Sequence, residues 1–203
     1  MLLWTIQDYT AYQDLLINGT LTANEDYIDV DFKRSYDWLA GQMQKRGLIL
    51  PNEVKYPMWA WYQWKGKRKK RDMRESGYAQ RGTKIVRLEI EIDDEDVLLS
   101  DFDLWHYVLN NWYLPINEQE DAEFEKQYTD LGVKYGDWQD SSKQSDALML
   151  IRLRIENSWE RIFDLSIEDN GWLFGLNSEK SIQATFWQLK IEQVRNADMF
   201  IAR

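Results

Sequence analysis

Residues 86–92 alternate without interruption between apolar and charged side chains. The apolar positions are Val86, Leu88, Ile90 and Ile92, and the charged positions are Arg87, Glu89 and Glu91. Successive side chains of a β-strand point to opposite faces, so this pattern predicts a strand with one buried and one polar face. Such a strand needs a sheet around it and a second layer against its apolar face, which excludes an all-helical chain.

Apolar spacing elsewhere predicts both strands and helices. Short apolar runs predict further strands at 2–7, 58–64, 182–189 and 197–202. Steps of three and four residues predict a helix that Asp8 caps and Gly19 ends, a helix from Phe32 that Gly47 ends, and a helix that Ser100 caps. They also predict a helix from Glu118 to Leu131 and a long helix from Leu148 to Ile162. The sequence contains no internal repeat and no linker. We therefore predict a single α+β domain over residues 1–203, with a mixed or antiparallel sheet and several packed helices.

The composition excludes several kinds of site. The chain has no cysteine and one histidine, which excludes disulfides, thiolate nucleophiles and zinc or iron–sulfur sites built on cysteine or on several histidines. Thirty-five acidic against 25 basic side chains give a net charge of −10, which disfavours a general nucleic-acid binder and favours a basic partner. No run approaches the roughly 18 apolar residues that span a bilayer, and no secretory signal is evident. These features predict a cytoplasmic protein that is not bound to membranes.

Residues 65–74 form the one marked change in composition. They carry seven of the 25 basic side chains of the protein. Neighbouring like charges repel one another and resist burial without partners, so the run predicts a solvated connection between two strands. The alternative is a docking site for phosphate or for an acidic surface.

The stretch 97–113 contains the only histidine and the best candidates for catalysis. A helix capped by Ser100, with Asp103 as the acid of a capping box, places Asp103 and Asn110 one turn from His106. A carboxylate at that position can fix the tautomer of an imidazole and raise its basicity, as a general base requires. The alternative is an ordinary helix histidine bonded to a neighbour. The same helix predicts an apolar face of Leu104, Trp105, Val108, Leu109 and Trp112.

The chain contains eleven tryptophans, and several of them precede the basic run. Trp59, Trp61, Tyr62 and Trp64 lie within six residues. Such rings can stack on a flat ligand such as a nucleobase, or they can fill a core. We predict Trp59 and Trp61 as ligand contacts, with a core role as the alternative. The acidic turn 93–96 lacks the spacing of a calcium loop, so we interpret it as solvated and predict no metal site.

Six phrases of the sequence together resemble one bacterial protein family. They are LWTIQ at 3–7, YDWLAGQM at 36–43, YPMWAWYQW at 56–64, LLSDFDLWHYVLNNWYL at 98–114, SWERIFDL at 158–165 and IQATFWQL at 182–189. The family is that of the domain of unknown function 3841. The resemblance covers nearly the whole chain and implies a bacterial or phage source and one intact domain. It implies no established activity and no catalytic residues.

The order of elements is also similar to that of small ADP-ribosyltransferase-like proteins. The shared layout is an opening strand, a helix that ends at Asn18, and a late strand that carries Gln183. The likeness implies NAD as a candidate cofactor, with Trp4 and Thr5 of the first strand as ligand contacts and Gln183 as a catalytic residue. Those enzymes usually carry His or Arg on the first strand and Glu on the late one, and this sequence departs from both.

Two hypotheses for function follow. In the first, the protein handles nucleotides, as a relative of the ADP-ribosyltransferases with an aromatic-lined cleft. Its catalytic residues are His106, Asp103 and Gln183, and its ligand contacts are Trp4, Thr5, Trp59, Trp61 and Asn110. In the second, the protein is a non-catalytic, acidic interaction protein that binds a basic partner, such as a regulator or inhibitor in phage–host conflict.

Overall fold

The computed structural model describes residues 1–169 and 171–203, which divide into two compact units. The sheet unit contains residues 1–100 and 178–203, and the helical unit contains residues 101–177. The predicted α+β class is confirmed, because helices accompany an antiparallel six-stranded sheet. The single domain over residues 1–203 stays a prediction. In the described part of the chain, no helix combines the length and apolarity that crossing a bilayer requires.

The sheet unit is built around a six-stranded sheet. Its strands lie in the order β5 (Leu98–Asp101), β6 (Ile182–Phe186), β3 (Met58–Gln63), β1 (Leu2–Asp8), β4 (Lys84–Glu91) and β8 (Val194–Ile201). A second, two-stranded sheet pairs β2 (Thr20–Thr22) with β7 (Gln188–Lys190). The predicted strand at 182–189 is therefore two short strands, which belong to different sheets. Trp187 separates them and is buried against Ala40, Met43 and Leu48.

The alternation that predicted β4 is confirmed by its burial. Val86, Leu88 and Ile90 are fully buried in the main core of the sheet unit. Leu3 and Phe186, from β1 and β6, join the same core. The opposite face carries Arg87, whose guanidinium pairs with the carboxylate of Asp198 on β8. The charged side chains of the alternating pattern therefore do not all face solvent, because Arg87 is buried, whereas its partner Asp198 is partly exposed.

Two helices belong to the sheet unit, α1 (Tyr9–Asn18) and α2 (Lys33–Lys45). The predicted end of α1 is confirmed at Gly19, which adopts a left-handed conformation with φ of 74°. Glycine adopts that conformation at little cost because it has no Cβ. Its amide donates to the carbonyl of Leu15 and closes the last turn of the helix.

The helical unit contains α3 (Phe102–Leu109), α4 (Glu118–Asp130) and α5 (Asp146–Ser158), and α5 continues as a 3₁₀ turn from Trp159 to Phe163. The predicted cap of α3 at Ser100 is wrong by one residue. Ser100 belongs to β5, and the carboxylate of Asp101 accepts hydrogen bonds from the amides of Asp103 and Leu104. Asp101 can do this because the last residue of a strand has the extended backbone that a helix cap needs.

The predicted apolar face of α3 is correct only over the length of the helix. Leu104, Trp105 and Val108 are buried, but the helix ends at Leu109 and Trp112 lies beyond it with 41% of its surface exposed. Asn111 has a left-handed φ of 53°, a conformation that asparagine tolerates better than most residues. Trp112 is therefore not a core residue of this helix.

The basic run lies between β3 and β4, as predicted, but it is not uniformly solvated. Arg71 is only 8% exposed, and its guanidinium lies 3.3 Å from the ring centroid of Trp64. The guanidinium of Arg68 lies 3.7 Å from the ring centroid of Tyr62. The Nζ of Lys65 lies 5.7 Å from the ring centroid of Trp64. The rings of residues 62–64 therefore contact three cations of the run that follows them. Planar guanidinium groups stack on rings in this way, which is why the arginines, and not Lys67 or Lys69, lie against the strand.

Candidate functional site

Three of the predicted site residues lie side by side in the centre of the sheet. Trp4 of β1 pairs with Trp61 of β3, and Trp61 pairs with Gln183 of β6. Directly opposed residues point to the same face, so the three side chains form one row. The indole of Trp4 donates to Glu89 at 2.9 Å. Gln183 is 8% exposed, and its Oε1 has no hydrogen-bond partner among the described residues.

Thr5 and Trp59 are joined through the backbone. The hydroxyl of Thr5 donates to the carbonyl of Trp59 at 2.7 Å and accepts from the amide of Gln7 at 2.7 Å. Thr5 is 2% exposed, and its hydrogen bond to Trp59 joins β1 to β3. Trp59 is half-buried, lies edge-on to Tyr36 and lines an open cavity of the sheet unit. Five of the eight predicted residues thus lie on three neighbouring strands.

The other three predicted residues, His106, Asp103 and Asn110, belong to α3 and its C-terminal cap in the helical unit. The imidazole is exposed, and its Nδ1 lies 3.1 Å from the carbonyl of Phe102 and 3.3 Å from that of Asp103. The amide of Asn110 donates to the carbonyl of His106. The contacts within this trio therefore run through the backbone and do not include the carboxylate-to-imidazole bond that the general-base hypothesis needs. The catalytic role of the trio stays a prediction.

The charge of the protein is divided unequally between the two units. The sheet unit carries nineteen acidic and nineteen basic side chains, and the helical unit carries sixteen acidic and six basic ones. The whole net charge of −10 therefore belongs to the helical unit. Among the described residues, no three His, Cys, Asp or Glu side chains are grouped to hold a metal ion. The excess of carboxylates thus has no metal-binding geometry in the described part of the chain.

The helical unit contains a cavity of about 480 Å³, here called the aromatic cavity. Its size is within the range of small-ligand pockets. Eight of the twelve lining residues that the structure describes are aromatic. Tyr107, Trp112 and Tyr113 line it from the end of α3 and the following loop, and Phe124 and Tyr128 line it from α4. The rings of Tyr113 and Phe124 are stacked with their centroids 4.0 Å apart, which fixes one wall of the cavity.

The loop between α4 and α5 supplies two further rings, Tyr135 and Trp138. Trp138 is 2% exposed and donates from its indole nitrogen to the carbonyl of Asn111 at 3.1 Å. Arg152 of α5 donates to the carbonyls of Trp138, Asp140 and Lys143. A buried indole and an arginine therefore hold the central part of this loop, which contains a 3₁₀ turn at Asp137–Gln139.

Asp169 organises the segment that carries the eighth ring, Trp172. Its carboxylate accepts hydrogen bonds from five backbone amides, those of Gly171, Trp172, Leu173, Phe174 and Gly175. Burial alone would raise the pKa of Asp169, but these amides outweigh burial and lower the pKa to about 2. The carboxylate is therefore ionised at neutral pH and fixes the positions of Trp172 and Leu173 in the cavity wall.

The two charged lining residues are both acidic and lie one turn apart on α4. Asp121 and Glu125 occupy positions i and i+4, where side chains are neighbours. Burial raises the pKa of Asp121, and the charge of Glu125 raises it further. Burial and the charge of Asp121 also raise the pKa of Tyr107. Among the described residues, neither carboxylate has a cation within salt-bridge distance. The charged side chains described in the wall of the aromatic cavity are therefore both negative, and neither is paired with a cation.

Comparison with known proteins places the chain in a family. A family model matches residues 2–195, which is nearly the whole sequence. The chain belongs to the family described as Domain of unknown function (DUF3841). No curated protein and no solved structure matches it. The predicted resemblance to this family is thus confirmed, whereas the likeness to ADP-ribosyltransferases stays a prediction.

The aromatic cavity of this DUF3841 member was not predicted from the sequence. Its rings come from four separate segments between residues 107 and 172, so no window of the sequence contains the pattern. Two signals were nevertheless present. The acidic excess is confined to residues 101–177, and α4 carries Asp121, Phe124, Glu125 and Tyr128 at steps of three and four residues. Those steps place aromatic and acidic side chains on one helical face.

Proposed function

We propose that the chain is a binding protein for a basic partner, and that it takes a lysine or arginine side chain of that partner into the aromatic cavity. One observation carries the proposal: Asp121 and Glu125, which form no salt bridge among the described residues, lie in a wall that is otherwise largely aromatic. No catalytic step is part of this function.

Aromatic faces supply the first part of the recognition. The faces of tryptophan, tyrosine and phenylalanine attract cations, by roughly 0.5–1 kcal/mol at exposed positions and by about 2 kcal/mol where water is excluded. Rings of the aromatic cavity already lie near two cations of the chain itself. The guanidinium of Arg154 lies 5.3 Å from the ring centroid of Tyr113 and 5.5 Å from that of Phe124, and the guanidinium of Arg161 lies 6.0 Å from the centroid of Tyr113. A further cation in the cavity would meet rings of the same kind.

Charge supplies the second part. Like charges one helical turn apart repel each other, so Asp121 and Glu125 are unfavourable neighbours until a cation lies between them. The net charge of −10 on the helical unit adds a long-range attraction that speeds the encounter with a basic partner. The two cavity carboxylates and the net charge of the helical unit would both repel an anionic ligand. A cation is therefore the ligand whose charge this cavity complements.

Isothermal titration calorimetry with two matched peptides tests the function. One peptide contains several lysines, and the other contains the same lysines acetylated, which removes their charge and keeps most of their shape. We expect saturable binding of the first and none of the second. Replacing both cavity carboxylates, as Asp121→Asn with Glu125→Gln, is expected to raise the Kd about tenfold, a change of roughly 1.4 kcal/mol.

Glu123→Gln is the matched control for charge, because Glu123 lies on the same helix, is exposed and contacts Gln119 rather than the cavity. Its Kd should stay within about twofold of the parent value, since screened surface charges contribute little. Equal losses of affinity in the control and in the cavity variants would show that the binding is only a general attraction between opposite charges. Equal binding of the acetylated peptide would refute the cation as the recognised group.

The nucleotide-handling hypothesis, with NAD as its candidate cofactor, stays an alternative. It is supported by the row formed by Trp4, Trp61 and Gln183. Calorimetry with NAD and the unmodified chain tests it directly.

A further inference from the structure

The sheet unit has a cavity of its own, of about 620 Å³, here called the sheet cavity. It is lined by the end of β1, by α1 and β2, by residues 23–28, and by the beginning of β3. Trp59 is its largest aromatic residue. The ring of Tyr36 meets that of Trp59 edge-on, with the centroids 6.2 Å apart and the planes at 87°. The indole is therefore held by its neighbours and presents a fixed surface on which a ligand can lie.

The polar lining of the sheet cavity combines donors and acceptors. Three threonine hydroxyls, those of Thr10, Thr20 and Thr22, are each able to donate and to accept. Asn18 adds an amide, and Asp14 adds a carboxylate that only accepts. A ligand hydroxyl also donates and accepts, so it can pair with every one of these groups. A ligand with a single kind of polar group would pair with only part of this lining.

The charge of the lining further restricts the kind of ligand that the sheet cavity can bind. The charged side chains in the lining are Asp8 and Asp14, and no lysine, arginine or histidine is found among the described lining residues. Phosphate binding needs cations or a row of free backbone amides, and two carboxylates oppose it. The lining therefore disfavours a phosphorylated ligand at this position. It also differs from the aromatic cavity, where rings outnumber all other residues.

Asp8 has a position that a purely structural role does not explain. It precedes α1 as its N-cap residue, yet its side chain makes no capping hydrogen bond. An N-cap aspartate usually binds an amide of the first turn, and this interaction stabilises the helix by about 1 kcal/mol. Here the side chain lines the sheet cavity instead. A carboxylate can accept hydrogen bonds from sugar hydroxyls, as the acidic residue of dinucleotide-binding folds does with a ribose.

We infer that the sheet cavity binds a neutral polyhydroxylated ring, with the ring or an attached base against Trp59 and its hydroxyls on Asp8, Asp14 and the threonines. The ring can belong to a free sugar or to a nucleoside, which share this chemistry. The inference is independent of the cation-binding function, because its residues all belong to the sheet unit.

Saturation-transfer NMR and calorimetry on the full chain test the inference with three probes: adenosine, methyl glucoside and AMP. We expect saturable binding of adenosine or of the glucoside, with AMP at least about tenfold weaker than adenosine because its phosphate meets two carboxylates. Binding of adenosine alone identifies a nucleoside site, and binding of the glucoside identifies a sugar site. Binding of neither at high millimolar concentration, or tighter binding of AMP, overturns the inference.

Variants locate the binding. Asp8→Ala and Asp14→Ala are each expected to raise the Kd of the bound probe about tenfold, which is the effect of losing a hydrogen bond to a charged group. Asp31→Ala is the control, because it removes an equal charge from an exposed position outside this lining. Because Asp8 makes no capping bond, Asp8→Ala should leave the Tm nearly unchanged. If Asp8→Ala unfolds the chain, Thr22→Val supplies the same test from a different wall. Unchanged affinity in Asp14→Ala and in Thr22→Val overturns the assignment.

Discussion

Asp121 and Glu125 lie one helical turn apart on α4 and line the same aromatic cavity. Burial makes the ionisation of Asp121 less favourable, and the charge of Glu125 adds to this effect. The arrangement is therefore unfavourable in the free protein and would become favourable with a bound cation. Binding sites commonly hold groups in arrangements that lower the stability of the empty protein.

The first prediction concerns Asp121→Asn. Because folding raises the pKa of Asp121, the folded chain holds this proton more tightly than the unfolded chain, and stability falls as the pH rises through the raised pKa. Removing the charge should therefore leave the Tm at pH 7 unchanged or slightly higher. It should also lower the affinity for the lysine peptide severalfold. Thermal melts and calorimetry on the same preparation measure both. A lower Tm with unchanged affinity would contradict the prediction.

The affinity for the cation should also depend on pH. A bound cation favours the ionised form of Asp121, so binding releases a proton wherever that group is partly protonated. Affinity is expected to be full above the raised pKa of Asp121 and to fall as the pH drops through it. Titrations across this range measure the change, and Asp121→Asn should flatten the part of the profile that this group causes. A profile that is identical in the variant would assign the pH dependence to another group.

The third prediction concerns Asp169→Asn. An amide side chain cannot accept five hydrogen bonds as the carboxylate does, so we expect a loss of stability on the order of 1–3 kcal/mol. The pKa of about 2 means that this contribution is complete above the ordinary pKa of an aspartate and is lost as the pH falls toward 2. The variant should also have a lower affinity for the lysine peptide, because Trp172 loses its fixed position. Asp140→Asn, whose carboxylate accepts from Ser142 and does not line the cavity, is the control.

The basic run should divide into structural and dispensable residues. Arg71 binds Glu75 at 2.7 Å and the hydroxyl of Tyr78 at 3.0 Å, and it stacks on Trp64. We expect Arg71→Ser to lower the Tm by several degrees, on the scale of about 4 °C or less per kcal/mol for a chain of this size. Lys67→Ser and Lys69→Ser change exposed side chains and should have little effect. Equal Tm values for all three variants would show that the stacking contributes nothing to stability.

Gln183 provides a test of the sheet centre. Its buried Oε1 has no partner among the described residues, which costs stability that an apolar side chain of similar length would not. Gln183→Met is therefore expected to keep or raise the Tm. A marked loss of stability would show that the amide has a structural role that these contacts do not explain. Any loss of NAD binding in a variant that folds normally would support the nucleotide-handling hypothesis.

The sequence by itself determined the local elements of the chain. The alternation at 86–92 predicted β4 because a strand has a period of two, and Gly19 marked the end of α1 because glycine tolerates the left-handed conformation. Both signals depend on neighbours within a few residues, which the sequence contains directly. The absence of cysteine likewise excludes disulfide and thiolate chemistry on composition alone, whatever the fold.

Only the tertiary structure decided which distant residues share a surface. The rings of Tyr107, Phe124, Trp138 and Trp172 line one cavity because loops held by Arg152 and Asp169 bring four segments together. Arg71 is buried, against the expectation for a run of like charges, because Trp64, Glu75 and Tyr78 replace part of the water that it loses. Periodicity reports which face of an element is apolar. It does not report which partner covers that face, because pairing and desolvation depend on residues far away in the chain.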